Sequence, residues 1–382
     1  MKLTISKHSF NEAIQNVAKA ISTKITIPIL SGIKIDATQE GITVTASDTE
    51  ISIQSFVPLE ENGVQIIEIF DTGSVVLPAK FLIEIIKKLP AEKIEIVTKE
   101  NEMTIRSGSS KVQLVCLDPE EYPSLPQVNQ SNMISIQSNV LKNMIRQTAF
   151  AVSTSETTPI LTGVLWAVNG NVLNMTACDR HRLAKCNSII ESNFNNEIFN
   201  HVVISGKILS ELKNLLEKIG KNDMVEISVS LNQVLYKFQN TCLYSRIIEG
   251  TYPDINKLIS QTFQTEVVIN SKQLTDAIDR AFLLSREEKT NTVKMIINEN
   301  KTLEISSSSS ELGKVTELIP AEQITGELIK ISFNSKYMMD ALKALDGDFI
   351  RLKFTGPMSP IVIQSEDGSS VLQLILPYRT TN

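Results

Sequence analysis

One amphipathic stripe occurs three times along this chain, and a self-similar period of that length decides most of what the chain can fold into. The first copy runs Phe10, Ala13, Ile14, Val17, Ala18, Ile21. The same spacing returns as Leu141, Met144, Ile145, Thr148, Ala149, Val152, and again as Leu274, Ala277, Ile278, Ala281, Phe282, Ser285. Positions i, i+3, i+4, i+7, i+8 and i+11 line one face of an α-helix. Each stripe follows a short strand and a capping-type serine: Ser6, Ser138 and Ser271.

A second helix recurs later in each copy, opening at Lys80, Lys207 and Lys336 and continuing through Leu82, Leu209 and Met338. Between the helices, Pro28-Ile29-Leu30-Ser31-Gly32 answers Pro159-Ile160-Leu161-Thr162-Gly163 at an offset of 131, and Thr45-Ala46-Ser47-Asp48 answers Thr176-Ala177-Cys178-Asp179 at the same offset. Tyr122-Pro123 answers Tyr252-Pro253 at an offset of 130. Agreement of independent features on one period makes the chain a triplication. Alternating runs such as Val225-Glu226-Ile227-Ser228-Val229 and Ile350-Arg351-Leu352-Lys353-Phe354 read as antiparallel strands with one face on a core. The expected class is α+β, with two helices packed on an antiparallel sheet in each of three repeated domains. Pro-containing connectors place the boundaries at 1–127, 128–256 and 257–382.

A length of 382 residues suits two or three cores, and 42% hydrophobic residues suffice to fill them. Cys116, Cys178, Cys186 and Cys242 show neither C-x-x-C spacing nor a dense framework, which predicts reduced thiols in the cytoplasm. No signal-peptide core and no membrane-length apolar run is read, so no membrane partner is expected.

Net charge is −6 overall, but its distribution is uneven. The six predicted helices (6–21, 79–89, 138–152, 205–219, 271–285 and 335–346) hold 14 Lys or Arg against 8 Asp or Glu, leaving −12 for the rest of the chain. Basic helices gathered on one surface would attract phosphates without reading sequence, while the acidic remainder repels them. With aromatics at 5% and none interleaved with the basic residues, duplex fits better than a stacked single strand. No phosphate loop, dinucleotide fingerprint or nucleophile elbow is present, and His8, His181 and His201 form no metal-spaced cluster with the cysteines. Neither cofactor nor metal is expected. Cys178 and His181 could form a nucleophile and base, but the matching Ser47 and Glu50 supply neither group, which makes the pair a local specialisation of a repeat position.

The triplicated unit, together with Pro159-Ile160-Leu161-Thr162-Gly163, His181-Arg182-Leu183-Ala184, Glu249-Gly250-Thr251-Tyr252-Pro253-Asp254 and Leu376-Pro377-Tyr378-Arg379, resembles the bacterial DNA polymerase III beta subunits, the DNA sliding clamps, from end to end. The resemblance implies a non-catalytic subunit, half of a head-to-tail homodimeric ring that encloses double-stranded DNA in the nucleoid. It also implies an apolar cleft between the second and third domains that receives short linear peptides from the clamp loader and from replicative and repair polymerases. Matching positions assign to the cleft Leu161, Cys178, Arg180, His181, Arg182 and Leu183; Pro253, Lys257 and Leu258 of the connector; and Met358, Pro360, Leu374, Ile375, Leu376, Pro377, Tyr378 and Arg379. Cys178-Asp179-Arg180 departs from the family's usual Thr-Asp-Gly or Thr-Asp-Ser, which alters the expected peptide preference and fits a secondary clamp copy.

For DNA, the resemblance carries over to Lys24, with Lys80, Lys142, Arg146 and Lys207 on the helices. For the dimer, it pairs the strand near Lys111 to Cys116 with the region of Leu283 and Leu284. The competing expectations are a peptide-binding scaffold that never closes a ring and, further off, a Cys–His hydrolase.

Overall fold

The computed structural model describes residues 1–22, 27–125, 133–192, 200–230, 232–287, 291–368 and 370–378. Helices form where the stripes predict them: α1 (Lys7–Val17), α2 (Ala79–Lys88), α3 (Ser138–Thr148), α4 (Gly206–Leu216), α5 (Ser271–Glu287) and α6 (Ser335–Ala344). The stripes are buried, with Phe10, Ile14 and Val17 of α1 fully inaccessible, as are Leu141 of α3 and Leu274 and Ile278 of α5. Each such side chain contributes roughly 1.5–3 kcal/mol by leaving water.

The caps differ in detail from the serine expectation. Ser6 does accept from the Ser9 amide, at 3.5 Å. Ser138 instead donates its hydroxyl to the carbonyl of Gly220 (2.6 Å), and α5 is capped by Asn270, whose Oδ1 accepts from the Gln273 amide at 3.0 Å. Asn and Ser serve equally well at this position, so a one-residue shift costs nothing.

The chain forms two compact units. The first comprises the described residues of 1–138, 191–194 and 214–247; the second, those of 139–190, 195–213 and 248–382. The strands of every repeat are antiparallel and divide between two sheets. In the first unit, a five-stranded sheet has the order Ser110–Val115, Glu102–Ser107, Lys93–Lys99, Lys2–Ser6, Ile67–Asp71. A nine-stranded sheet continues from Glu191–Ser192 through Met133–Gln137, Met224–Val229, Gln233–Phe238, Thr241–Arg246, Ile51–Pro58, Gly41–Ser47 and Gly32–Ala37 to Gly73–Pro78.

In the second unit, nine strands run Asn200–Ser205, Gly163–Asn169, Val172–Cys178, Arg182–Ile189, Leu372–Ile375, Ile361–Ser365, Phe349–Phe354, Thr265–Asn270, Gln323–Gly326. A four-stranded sheet has the order Gly313–Pro320, Thr302–Ser309, Thr292–Ile297, Lys330–Asn334.

Each nine-stranded sheet is two repeats joined edge to edge. Ile51–Pro58 of the first repeat pairs antiparallel with Thr241–Arg246 of the second, Ile51 opposite Ser245. Arg182–Ile189 of the second repeat pairs in the same way with Leu372–Ile375 of the third, Arg182 opposite Ile375. Pairing of this kind satisfies backbone groups that an isolated repeat would leave open.

The shared Pro-Ile-Leu-[Ser/Thr]-Gly segment has a local cause. Pro28–Ser31 and Pro159–Thr162 are 3-10 turns opened by proline and closed by a hydroxyl on the proline carbonyl at 2.7 Å in both. The glycine that follows begins a strand against its neighbour. A Cβ on Gly163 would lie 2.5 Å from Val203 Cγ1, and one on Gly32 would lie 2.5 Å from Val76 Cγ1.

Candidate functional site

In the second unit the turn at Pro159–Thr162 delivers Ile160 and Leu161 to a cluster that includes Cys178, Leu183, Tyr252, Ile255, Val362 and Leu374. Ile248, Ile259, Phe263, Leu372 and Leu376 are half-buried against it. Tyr252 fixes the floor: its hydroxyl accepts from the Cys178 amide (3.1 Å) and faces the Thr176 carbonyl at 3.5 Å. Burial raises the Tyr252 hydroxyl well above its ordinary range, so it is a permanent neutral partner. Burial likewise raises the Cys178 thiol; the Tyr252 hydroxyl partly offsets this and the Asp179 charge adds to it. Cys178 is therefore an apolar wall at neutral pH, not a thiolate nucleophile.

Alongside this cluster, a recess of about 310 Å³ is lined by Lys257, Leu258, Ser260, Ser359, Pro360 and Val362. Leu258, Met358 and Tyr378 remain 47%, 53% and 38% exposed, so apolar surface is available to a ligand beside a finished core. Lys257 is paired with Asp254 at 3.6 Å on the exposed connector, next to the exposed Pro253. Leu376 and Pro377 follow the last strand half-buried, and the Leu376 amide donates to the His181 carbonyl at 2.8 Å.

Of the expected cleft residues, Leu161, Cys178, Leu183, Leu374 and Leu376 share the cluster, and Lys257, Leu258 and Pro360 line the recess. Ile375 lies on the face of its strand opposite Leu374; alternation sends it into the sheet core, 1% exposed and outside the cluster. Arg182 is not free to meet a ligand. Its Nε donates to Asp179 Oδ2 (2.9 Å), its terminal nitrogens to Asp340 Oδ2 (2.7 Å) and to the Phe150 carbonyl (2.6 Å). Its guanidinium also lies 4.5 Å from the Tyr337 ring centre and 5.3 Å from that of Phe150. Arg182 therefore positions the loop that carries its neighbours. Arg379 lies outside the described residues.

That loop is held further by Asp179 Oδ1, which accepts from the amides of His181 and Arg182 at 3.0 Å each. The turn forces Arg180 to φ +75°, where a Cβ is disfavoured, and its guanidinium donates to Thr158 Oγ1 at 2.7 Å. His181 stacks on Tyr337 with ring centres 6.1 Å apart. No local pattern marks Asp179, Asp340, Phe150 and Tyr337 as Arg182 partners, because Asp340 and Tyr337 come from a helix distant in the chain.

The candidate DNA residues separate. Lys80 and Lys207 are exposed and Lys142 is half-exposed, and none forms an ion pair among the described residues. Arg146 is corrected as a free cation: both oxygens of Asp346 accept from it at 2.8 Å, and the Lys343 carbonyl accepts at 2.9 Å. A compensated charge offers little to a phosphate. Lys24 lies outside the described residues.

Of the expected dimer residues, Lys111 is exposed on the edge strand Ser110–Val115, and Cys116 is half-buried behind it with its thiol pushed up to about 11 by burial and Glu102. Leu283 is 56% exposed on α5, and Leu284 is half-buried. Sequence reasoning missed a second edge, Gly313–Pro320, on which Leu318 is 61% exposed and Leu312, just before it, equally so.

Comparison with known proteins accounts for the whole chain. The family models for the DNA polymerase III beta subunit match residues 1–126 for the N-terminal domain, 135–254 for the central domain and 256–379 for the C-terminal domain. The chain belongs to the DNA polymerase III beta subunit family. It is 47% identical to the beta sliding clamp of Bacillus subtilis and 45% identical to that of Staphylococcus epidermidis, over 381 residues and the full length of each. The crystal structure of the Bacillus subtilis DNA polymerase sliding clamp superposes with a TM-score of 0.96 over all of both chains. The beta chain from Streptococcus pneumoniae, 35% identical, superposes with a TM-score of 0.93 over 99% of this chain and all of that one. Membership makes the chain a non-catalytic processivity subunit serving DNA replication. No helix among the described residues is long and apolar enough to cross a membrane.

Proposed function

We propose that two copies join head to tail into a ring of six clamp domains, bounded at about residues 127 and 256 in each chain, which encloses duplex DNA without reading its sequence. The observation that carries the reading is a pair of strand edges. Two joints within the chain pair an inner strand of one repeat, Ile51–Pro58 or Arg182–Ile189, with the last strand of the next. The third pair of equivalent strands, Gly313–Pro320 and Ser110–Val115, stands at the free ends of two sheets. Carrying the register of the first joint across the repeat sets Gly313 opposite Leu114, Val315 opposite Val112 and Glu317 opposite Ser110. One step further, Val115 (72% exposed) meets Leu312 (61% exposed).

Open edges invite pairing, and an interface repeated head to tail either closes or propagates. Arg280 braces the edge, its guanidinium gripping both oxygens of Glu317 at 2.6 Å and holding that carboxyl below its ordinary range. Lys80, Lys142 and Lys207 supply uncompensated charge for phosphates. The cleft of Leu161, Cys178, Leu183, Val362 and Leu374 accepts apolar side chains of short peptides from the clamp loader and from replicative and repair polymerases. The complex acts at the nucleoid.

Retention after loading on nicked circular plasmid, compared with the same plasmid linearised, tests enclosure at moderate salt. Retention on circles with escape from linear ends is the expected result. Equal retention on both means binding by contact and replaces the ring with a peptide-binding scaffold.

A further inference from the structure

The cleft of the second unit sets its apolar walls beside three carboxylates that are already engaged. Asp179 accepts from the amides of His181 and Arg182 and from the Arg182 guanidinium. Asp340 accepts from Arg182 at 2.7 Å, and Asp254 stands 3.6 Å from Lys257. Arg180, on the same loop as Asp179, has no such counter-ion. It is exposed and forms no ion pair among the described residues, not even with Glu156, two residues before its partner Thr158. One of its N–H groups donates to Thr158 Oγ1 at 2.7 Å. A guanidinium has five such groups, and the others meet no acceptor among the described residues.

That single hydrogen bond fixes where the guanidinium stands. Thr158 immediately precedes the turn that delivers Ile160 and Leu161, and Arg180 follows Cys178 by two residues. The charge therefore spans the two segments that carry these apolar walls. Lys353 adds a second cation at the same cluster, its Nζ 5.3 Å from the centre of the half-buried Phe263 ring. The backbone frame is common to the first repeat, where Thr49 matches Arg180 and has φ +78° against +75°, so the charge is what the second repeat adds. A planar guanidinium fits a carboxylate with paired charge-assisted hydrogen bonds, which a neutral amide does not equal. The walls beside it call for aliphatic side chains, so the carboxylate must arrive on a peptide that carries both.

We propose that Arg180 makes this cleft selective for acidic peptides: it takes the carboxylate of an Asp or Glu that flanks the apolar side chains seated against Leu161, Cys178 and Leu183. The inference rests on the reading of the cleft as a peptide site. The probes are Ac-Asp-Leu-Leu-Asp-NH2 and its isosteric neutral counterpart Ac-Asn-Leu-Leu-Asn-NH2, titrated against the full chain by saturation-transfer NMR at pH 7 and low salt. Expected is about fivefold tighter binding of the Asp peptide. That preference falls below about twofold in Arg180→Gly and shrinks as salt is raised. Leu258→Ala, in the recess, weakens both peptides together and keeps their ratio. Equal affinities in the unsubstituted chain, or a preference that survives Arg180→Gly, overturn the proposal. Binding of neither peptide at millimolar concentration, or indifference of both to Leu258→Ala, overturns instead the cleft reading beneath it.

Discussion

Replacing Arg182 by methionine tests whether this residue positions the cleft loop or contacts a ligand. Methionine keeps most of the volume and packs acceptably against the Tyr337 and Phe150 rings. The substitution leaves Asp179, whose side chain is 11% exposed, and Asp340, 31% exposed, without their cation. It also strips the Phe150 carbonyl of a 2.6 Å charge-assisted partner. Breaking a buried pair from one side costs about 3–5 kcal/mol, and the wetter Asp340 places the expectation at the lower end.

The single tryptophan, Trp166, is 1% exposed in the same unit and reports its unfolding by fluorescence. At a urea slope of about 2 kcal/mol/M, the midpoint falls by roughly 1–2 M. Adding Asp179→Asn and Asp340→Asn removes the stranded charges, while the amide oxygen introduced at position 179 still accepts from the loop amides, so much of the loss returns. A single-variant shift below about 0.3 M, or no recovery in the triple variant, would refute the argument that the guanidinium is a structural tie.

Three other outcomes follow from the same geometry. Val115→Asp and Leu312→Asp lie on exposed edges, so each leaves circular dichroism unchanged and weakens dimerisation about a hundredfold in analytical ultracentrifugation; a persistent dimer in both rejects the proposed register. Arg180→Gly relieves a left-handed residue at the expense of one exposed hydrogen bond and stabilises the second unit by about 0.5–1 kcal/mol in the urea assay. The same variant changes which cleft peptides bind in fluorescence anisotropy, and an unaltered preference removes Arg180 from specificity. In salt titrations on linear duplex, Lys80→Ala and Lys207→Ala each lower the slope of log affinity against log salt by about 1, whereas Arg146→Ala changes it little because Asp346 already compensates that charge; equal effects at all three positions contradict the assignment.

Much of this was legible in the chain itself. The stripes at Phe10, Leu141 and Leu274 specify helices because a 3.6-residue period has one efficient burial mode. The glycines at 32 and 163 betray a close approach that admits no Cβ. Leu161, Leu183 and Leu374 could be named as cleft walls from the repeat and its family pattern, and they do share one cluster.

What remained hidden depends on pairings that no local pattern encodes. A sequence period says that three units are alike; it does not say that each divides its strands between two sheets, since alternation reads the same in either. Ile375 and Leu374 are equally apolar, and only the register against Arg182 and Leu183 decides which faces the cluster. The neutralisation of Arg146 by Asp346 and the capture of Arg182 by Asp340 join residues 200 and 158 positions apart. Charge attraction falls off with distance in space, not along the chain, so a sequence displays the ions while the tertiary structure alone decides which of them remain free to act.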